Sequence, residues 1–129
     1  LDETCHRENV GLLAYSPLAF GQLTAKYLDD PQARGRLTIF PPGWSPRYIR
    51  PATIEAARQY AALARANGLT PTQLALAWCY SRWFVASTII GATSLEQLAH
   101  NIDAYGITLS PEVIAAVDAI HATLTNPGQ

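Results

Sequence analysis

Only two stretches of this sequence have the pattern of a buried β-strand, and they lie far apart in the chain. Residues 10–15 (VGLLAY) and residues 84–91 (FVASTIIG) are short apolar runs, typical of strands buried on both faces of a parallel sheet. Amphipathic helical segments lie between and after them, and this alternation predicts a parallel α/β architecture. Because two strands cannot close a sheet and leave both edges open, we expect a piece of a larger α/β unit.

Periodicity and capping residues predict helices over residues 51–82 and 94–124. Residues 51–67 place apolar side chains at helical spacing and precede Gly68, which suits a helix C-terminus. Residues 70–73 (TPTQ) have the form of a capping box with proline at the first helical position. The last two helices are predicted to bury two apolar stripes, Leu95, Leu98, Ile102 and Tyr105, and Val113, Val117, Ile120 and Leu124.

The remaining segments lack a clear period. Residues 1–9 are predicted to be the end of a helix or a lead-in turn. Residues 16–50 are rich in proline and glycine and predict a long loop, with a helical turn within residues 20–27. Loops of this length inside a compact domain are usually functional or mobile.

Composition excludes several classes of function. The chain has 129 residues and a formal net charge of −1, so it presents no basic footprint for nucleic acid or an anionic membrane surface. Its longest apolar runs are about half the length of a bilayer-spanning helix. Cys5 and Cys79 fit neither a disulfide framework nor a zinc site, which favours reduced thiols and a cytoplasmic location. The histidines lack metal-ligand spacing, so we predict no metal site.

Two further features predict a fragment. The sequence contains no methionine, and its first nine residues are polar, with no apolar signal segment. The chain is also no longer than about one domain. We expect a fragment of a longer protein, and its normally buried surfaces would favour self-association.

A first candidate anion site follows the first predicted strand. Lys26 is the only lysine in the chain, and Arg34 and Arg36 follow it in the same loop. A strand end, free backbone N–H groups in the turn at residues 16–18 and three cations together form a candidate anion site. The alternative is a solvated loop with ordinary surface charges.

A second candidate site follows the second predicted strand. Residues 91–94 (GATS) stand directly before a predicted helix, where backbone N–H groups and the Thr93 and Ser94 hydroxyls would hold a phosphate. Alternatively, Thr93 or the serine after it only caps the helix. Gln97, His100 and Asn101 share the next turn of one helix face, where they either read the edge of a ring or form a hydrated surface.

Three motifs in sequence order resemble segments of the aldo-keto reductases. Residues 14–27 (AYSPLAFGQLTAKY) resemble the SPLxxGxLTxKY segment of that family. Residues 74–78 (LALAW) and 89–101 (IIGATSLEQLAHN) resemble its LALAW helix and its IIGATSxEQLxEN segment. The similarity covers most of the chain and is closest to the bacterial Tas-like reductases and the potassium-channel β-subunit branch.

The resemblance implies a fold class. Aldo-keto reductases are (β/α)₈ TIM barrels, and this α/β chain is similar to their C-terminal portion, which is not a complete barrel. Residues 10–15 and 84–91 would be strands seven and eight, followed by the helices of 51–82 and 94–124, with residues 16–50 as the cofactor loop. Barrel sites lie at the C-terminal ends of strands, often with a phosphate after strands seven and eight.

The resemblance also implies NADP(H) as cofactor and indicates the residues that would contact it. Those on the nicotinamide and pyrophosphate side would be Tyr15, Ser16, Pro17, Leu18, Ala19, Phe20 and Gly21. Lys26 and Arg36 would approach the phosphates; Gly91, Thr93 and Gln97 would surround the adenosine 2′-phosphate, and Asn101 would meet adenine. His100 stands where the family usually has glutamate and is a secondary candidate.

No catalytic residue is assigned. The family's Asp, Tyr, Lys and His tetrad lies in the N-terminal part of the barrel, and Lys26 and Tyr27 match the cofactor loop instead. The full-length enzyme would pass a hydride to the carbonyl of a small aldehyde or ketone, with a tyrosine as proton donor. This chain alone would be inactive. The alternatives are a regulatory nicotinamide-binding subunit and a self-associating α/β module without activity.

Overall fold

The computed structural model describes residues 2–41 and 43–129. Leu1 of the predicted N-terminal segment and Pro42 of the predicted loop lie outside the described residues. In chain order the elements are α1 (Asp2–Glu8), β1 (Leu12–Tyr15), α2 (Lys26–Asp29), α3 (Arg36–Ile39), α4 (Pro51–Ala66), α5 (Pro71–Tyr80), β2 (Val85–Ile89), α6 (Leu95–Asp103) and α7 (Pro111–Thr123). Three 3-10 segments are Ala19–Thr24, Pro46–Tyr48 and Ala104–Gly106.

The two strands form a parallel pair. Tyr15 lies opposite Ile89 at the carboxyl end of the pair, and the register shifts by one residue near Leu12. Both strands are shorter than the predicted 10–15 and 84–91. The prediction that they are buried on both faces is also wrong, because alternate side chains of β1, which share one face of the sheet, are exposed. Leu13 is 58% exposed and Tyr15 is 68% exposed.

The predicted loop of residues 16–50 has more local structure than its sequence indicated. It contains α2, α3 and two of the three 3-10 segments, each only one or two turns long. Segments this short do not contain a full repeat of apolar residues at helical spacing, and the sequence pattern therefore did not reveal them.

The hydrophobic core lies where α4, α5 and α7 meet. Alanines on α4 let the two neighbouring helices approach closely, and the buried core residues are Ala64, Leu74, Ala77, Leu109, Val113 and Val117. Leu76 of α5 is completely buried. The first two members of the stripe predicted for the last helix, Val113 and Val117, are therefore in the core as expected.

Two adjoining caps fix the turn between α4 and α5. Gly68 adopts φ +70°, the Gly68 N–H donates to Arg65 O (3.2 Å), and the Leu69 N–H donates to Ala64 O (3.0 Å). This is the Schellman arrangement, which favours glycine. The predicted capping box is confirmed: the Gln73 N–H donates to Thr70 Oγ1 (3.1 Å), and the Thr70 N–H donates to Gln73 Oε1 (2.8 Å).

The apolar stripe predicted to be buried on α6 is exposed. Leu95 is 85% exposed and Tyr105 is 76% exposed. The residue of α6 that is buried is the polar Asn101. α6 contacts α5 and the 3-10 segment Ala104–Gly106, and those contacts lie on the Asn101 side. Of the stripe, Tyr105 lies in that 3-10 segment, and its ring makes an edge contact with the Tyr80 ring at 5.6 Å between ring centres.

The buried core predicts a clear difference between two aliphatic truncations. Leu76→Ala should lower the free energy of unfolding by about 2–5 kcal/mol, because it leaves a cavity in packed surroundings. Ile39→Ala, at an exposed position on α3, should change it by less than about 0.5 kcal/mol. Urea denaturation of both variants tests this, and equal losses would contradict the assigned core.

Candidate functional site

The chain winds tightly as it leaves β1. Four non-glycine residues, Ser16, Ala19, Phe20 and Ala25, and also Gly21, have φ between +47° and +93°. Each non-glycine residue in this left-handed region costs on the order of 1 kcal/mol. Backbone hydrogen bonds between residues close in sequence close these turns; for example, the Ala19 N–H donates to Ser16 O (2.9 Å). The predicted nicotinamide-side residues therefore form one compact, strained segment.

Two of the predicted phosphate ligands lie beside this segment. Lys26 Nζ lies 3.4 Å from Arg34 O, which accepts its hydrogen bond, and 4.8 Å from the centre of the Tyr27 ring. The Arg36 guanidinium carbon lies 5.0 Å from the centre of the Phe20 ring. The side-chain ion pairs within the described residues are Arg7–Glu3, Arg58–Glu55 and Arg65–Asp29. Lys26 and Arg36 thus have no carboxylate partner there.

Arg47 joins this group, although no pattern in the sequence selects it. Its Nη2 donates to the Tyr48 hydroxyl (2.8 Å). A hydrogen bond with Tyr15, followed by the charge interaction with Tyr48, raises the pKa of Arg47 above its ordinary value. Arg47 therefore reaches the last residue of β1. The loop between them has no period, so no local pattern predicts this contact.

Aromatic side chains cover the same part of the loop. The Phe20 ring lies 5.4 Å from that of Trp44 and 4.6 Å from that of Tyr48, and the Phe40 and Trp44 ring centres are 4.1 Å apart. Aromatic pairs of this kind stabilise a fold by more than the burial of their apolar surface alone. The cluster packs the distant end of the loop against the turn that follows β1.

The segment after β2 is organised around the start of α6. The Gln97 N–H donates to Ser94 Oγ (3.2 Å), so Ser94 caps the helix and Thr93 does not. Gln97 Oε1 accepts from both the Thr93 N–H (2.9 Å) and the Thr93 hydroxyl (3.1 Å). The two residues predicted to surround a 2′-phosphate are therefore adjacent and bonded to each other.

Gln97, His100 and Asn101 were predicted to share one face, but they have three separate partners. Gln97 bonds Thr93, and His100 Nε2 lies 2.9 Å from Thr70 Oγ1 at the N-cap of α5. Asn101 is only 3% exposed, and its Nδ2 donates to Gly91 O (3.3 Å). In this structure Asn101 supports the backbone at Gly91 from within the chain.

Tyr80 links this segment to α5. Its hydroxyl donates to Asn101 O (3.2 Å). Burial, with a smaller contribution from Cys79, raises the pKa of Tyr80, so the hydroxyl remains a donor at neutral pH. Burial likewise raises the pKa of the Cys79 thiol, against an opposing effect of Arg82.

The parallel pairing brings the two candidate segments to one edge. Because Tyr15 lies opposite Ile89, the turn beginning at Ser16 and the segment beginning at Gly91 leave the same end of the sheet. This edge is the carboxyl end of both strands, where ligands bind in barrel proteins and open α/β sheets. A separate apolar cavity of about 280 Å³ lies among α4, α5 and α7, and Pro17 is the one predicted site residue that lines it.

Two other kinds of site were sought over residues 2–41 and 43–129. No group of three or more His, Cys, Asp or Glu side chains there could hold a metal ion. No helix in the same residues is long and apolar enough to cross a membrane.

Comparison with known proteins identifies the family. A profile of the Aldo/keto reductase family matches residues 1–122. The chain belongs to the aldo/keto reductase family. It is 43% identical over 128 residues to Protein tas of Escherichia coli K12 and 34% identical over 115 residues to a putative voltage-gated potassium channel subunit beta of Schizosaccharomyces pombe. These relatives confirm the Tas and channel-β-like branch.

The structure agrees with this family assignment and shows how much of a relative's length the chain covers. It superposes on a glycerol dehydrogenase of Gluconobacter oxydans with a TM-score of 0.73 and 26% sequence identity, covering 98% of this chain and 38% of that one. The alignment with the Tas protein covers 98% of this chain and 36% of that protein, and the alignment with the S. pombe protein covers 85% of this chain and 33% of that protein. It has the family's α/β fold in part, and its described residues do not close a barrel.

Proposed function

We propose that this chain is the C-terminal portion of an NADP(H)-dependent carbonyl oxidoreductase and supplies its cofactor-binding segments. Relatives named L-glyceraldehyde 3-phosphate reductase (32% identical over 120 residues) and glycerol dehydrogenase support oxidoreduction between carbonyls and alcohols. In this proposal β1 and β2 are strands seven and eight of the barrel. The catalytic tetrad lies outside the chain, which alone is inactive, and the parent protein is cytoplasmic.

One observation carries the proposal: two cations with no carboxylate partner among the described residues lie on the segment that leaves the carboxyl end of one strand of the parallel pair. Lys26 and Arg36 belong to the segment that leaves β1, and the Thr93 donors belong to the segment that leaves β2. Guanidinium, ammonium and N–H donors are the groups that bind phosphate in proteins. The donor set therefore fits a dinucleotide with several phosphates.

The proposed contacts fall into two groups. The first group, on the nicotinamide and pyrophosphate side, is Tyr15, Ser16, Pro17, Leu18, Ala19, Phe20, Gly21, Lys26 and Arg36. The second group, around the adenosine, is Gly91, Thr93, Gln97 and Asn101. NADP(H) supplies the hydride chemistry when bound. The residues of this chain orient and hold the cofactor. Asn101 contributes by its hydrogen bond to the backbone of Gly91, and the His100 ring is already hydrogen-bonded to Thr70.

The Thr93–Gln97 pair is the proposed contact with the 2′-phosphate. A phosphate at this position would take over the Thr93 N–H and hydroxyl donors from Gln97 Oε1. The Gln97 carboxamide can rotate and present its NH₂ group to the same phosphate. The Thr93–Gln97 pair therefore selects NADPH over NADH through neutral hydrogen-bond donors to the 2′-phosphate, without a positively charged side chain.

Arg36→Gln should weaken NADPH binding to the chain about tenfold, because it removes a charge-assisted bond to a phosphate. The measurement is a tryptophan-fluorescence titration with NADPH and, in parallel, with NADH. Arg58→Gln is the matched control, since Arg58 pairs with Glu55 on α4 and should leave affinity unchanged. Equal NADPH affinity in the wild-type and Arg36→Gln chains would contradict the assigned contact.

Gln97→Glu should separate the two cofactors. The new carboxylate can accept the same two bonds from Thr93 but repels the 2′-phosphate, so NADPH affinity should fall tenfold or more (on the order of 1.4 kcal/mol). NADH affinity should change less than about twofold, because NADH carries no phosphate there. Gln129→Glu adds the same charge at the C-terminus as a control. Parallel loss of both cofactors would place the 2′-phosphate elsewhere.

A regulatory subunit is the second candidate function. The 34% identity to a putative voltage-gated potassium channel subunit beta favours it specifically. Such a subunit would bind the nicotinamide cofactor through the same residues, with cofactor occupancy as its signal. If the parent sequence contains the tyrosine and the lysine of the family tetrad, the enzyme is favoured over the regulatory subunit.

We also propose that the isolated chain self-associates. The exposed stripe on α6 and the open strand edges present apolar surface to water, and such patches associate. Sedimentation should give a mass above that of one chain, falling with dilution. Leu95→Glu should shift the chain toward the monomer, whereas Ala62→Glu, on the exposed face of α4, should not. A monomer at all concentrations would exclude the proposal.

A further inference from the structure

The Tyr27 hydroxyl joins two separate parts of the loop. It donates to Phe20 O (3.3 Å), in the strained turn after β1, and it accepts from the Leu37 N–H (3.2 Å), in α3. The Arg36 guanidinium lies over the ring of the same Phe20. Tyr27 therefore holds the backbone on both sides of the Arg36–Phe20 contact.

Gly35 makes this closure possible. A Cβ atom at residue 35 would lie 2.2 Å from Lys26 Nζ and 2.5 Å from the Tyr27 hydroxyl oxygen. Both distances are far below van der Waals contact. The backbone at Gly35 is extended, which any residue can adopt. The requirement for glycine here is thus the close approach of Lys26 and Tyr27, rather than an unusual backbone conformation.

Further bonds complete a clasp formed by residues 26–38. Lys26 Nζ donates to Arg34 O. Thr38 Oγ1 accepts from the Gly35 N–H (2.9 Å). The clasp fixes the two cations, Lys26 at the start of α2 and Arg36 at the start of α3, relative to each other. Long cationic side chains lose rotamer entropy on binding, and prior fixation lowers that cost.

We propose that Tyr27 is a positioning residue that sets Arg36 for phosphate binding through this clasp, with Gly35 as its necessary partner. The inference rests on the proposed function, since it takes Arg36 as the phosphate contact. Tyr27 itself acts through the two backbone groups that it bonds and makes no contact with the phosphate.

The test is a double-mutant cycle on the 129-residue chain, read by NADPH titration. Tyr27→Phe removes both hydrogen bonds and should weaken NADPH binding about tenfold. In the Arg36→Gln background the same change should cost less than about twofold, because its effect passes through Arg36. If the loss of NADPH affinity in the double variant equals the product of the losses in the two single variants, the positioning role is overturned. Wild-type affinity in Tyr27→Phe would also overturn it.

Two controls match these changes. Tyr60→Phe removes the hydroxyl of another half-buried tyrosine, one that makes no hydrogen bond to the described residues, and should leave affinity unchanged. Gly35→Ala should weaken NADPH binding like Tyr27→Phe, whereas Gly106→Ala, where a Cβ meets no atom within 4 Å, should not. Binding by Gly35→Ala equal to wild type would remove Gly35 from the proposal.

Amide exchange without cofactor separates this inference from the proposed function. The Leu37 amide should be protected in the wild-type chain and should exchange about tenfold faster in Tyr27→Phe, with no change in Tyr60→Phe. If NADPH fails to bind the wild-type chain while Leu37 behaves this way, the clasp stands and the cofactor assignment falls. Unchanged Leu37 exchange in Tyr27→Phe overturns the clasp itself.

Discussion

The parallel pairing of β1 with β2 is the constraint on which the rest of the structure depends. A parallel pair requires a long crossover, and here the crossover contains both the loop that carries Lys26 and Arg36 and the helices α4 and α5. The same pairing places Tyr15 opposite Ile89. The two candidate segments, which begin at Ser16 and at Gly91, therefore start side by side although they are far apart in the sequence.

The core of the crossover determines where the second segment lies. The Schellman turn at Gly68 and the capping box at Thr70 set α5 against α4, and α5 in turn carries two anchors for α6. Thr70 bonds His100, and Tyr80 bonds the backbone of Asn101. Asn101 then holds Gly91. Hydrogen bonds from α5 and its N-cap thus hold α6, and α6 in turn holds the backbone after β2.

Features that depend on neighbours in sequence could be predicted from the sequence. The capping box of Thr70 and Gln73, the glycine after α4 and the parallel order of the two strands depend on local chemistry or on short apolar runs. The contacts of Arg47 with Tyr15 and of Tyr27 with Leu37 could not be predicted, because they join positions in a loop without a period. Which face of α6 is buried could not be predicted either. An apolar stripe indicates the buried face only when an apolar neighbour is present, and the hydrogen bonds of Asn101 decide the orientation instead.

The two candidate segments are also the places where the chain departs from ordinary local rules. After β1, four non-glycine residues adopt left-handed backbone conformations, a cost that the burial of Ala25 and the bonds of Tyr27 must offset. After β2, α6 buries an asparagine and exposes its leucines. Departures of this kind are expected at functional sites, where a required geometry outweighs local stability. That both occur at the carboxyl edge of one strand pair, with Lys26 and Arg36 free of carboxylate partners among the described residues, is the physical reason to propose ligand binding there.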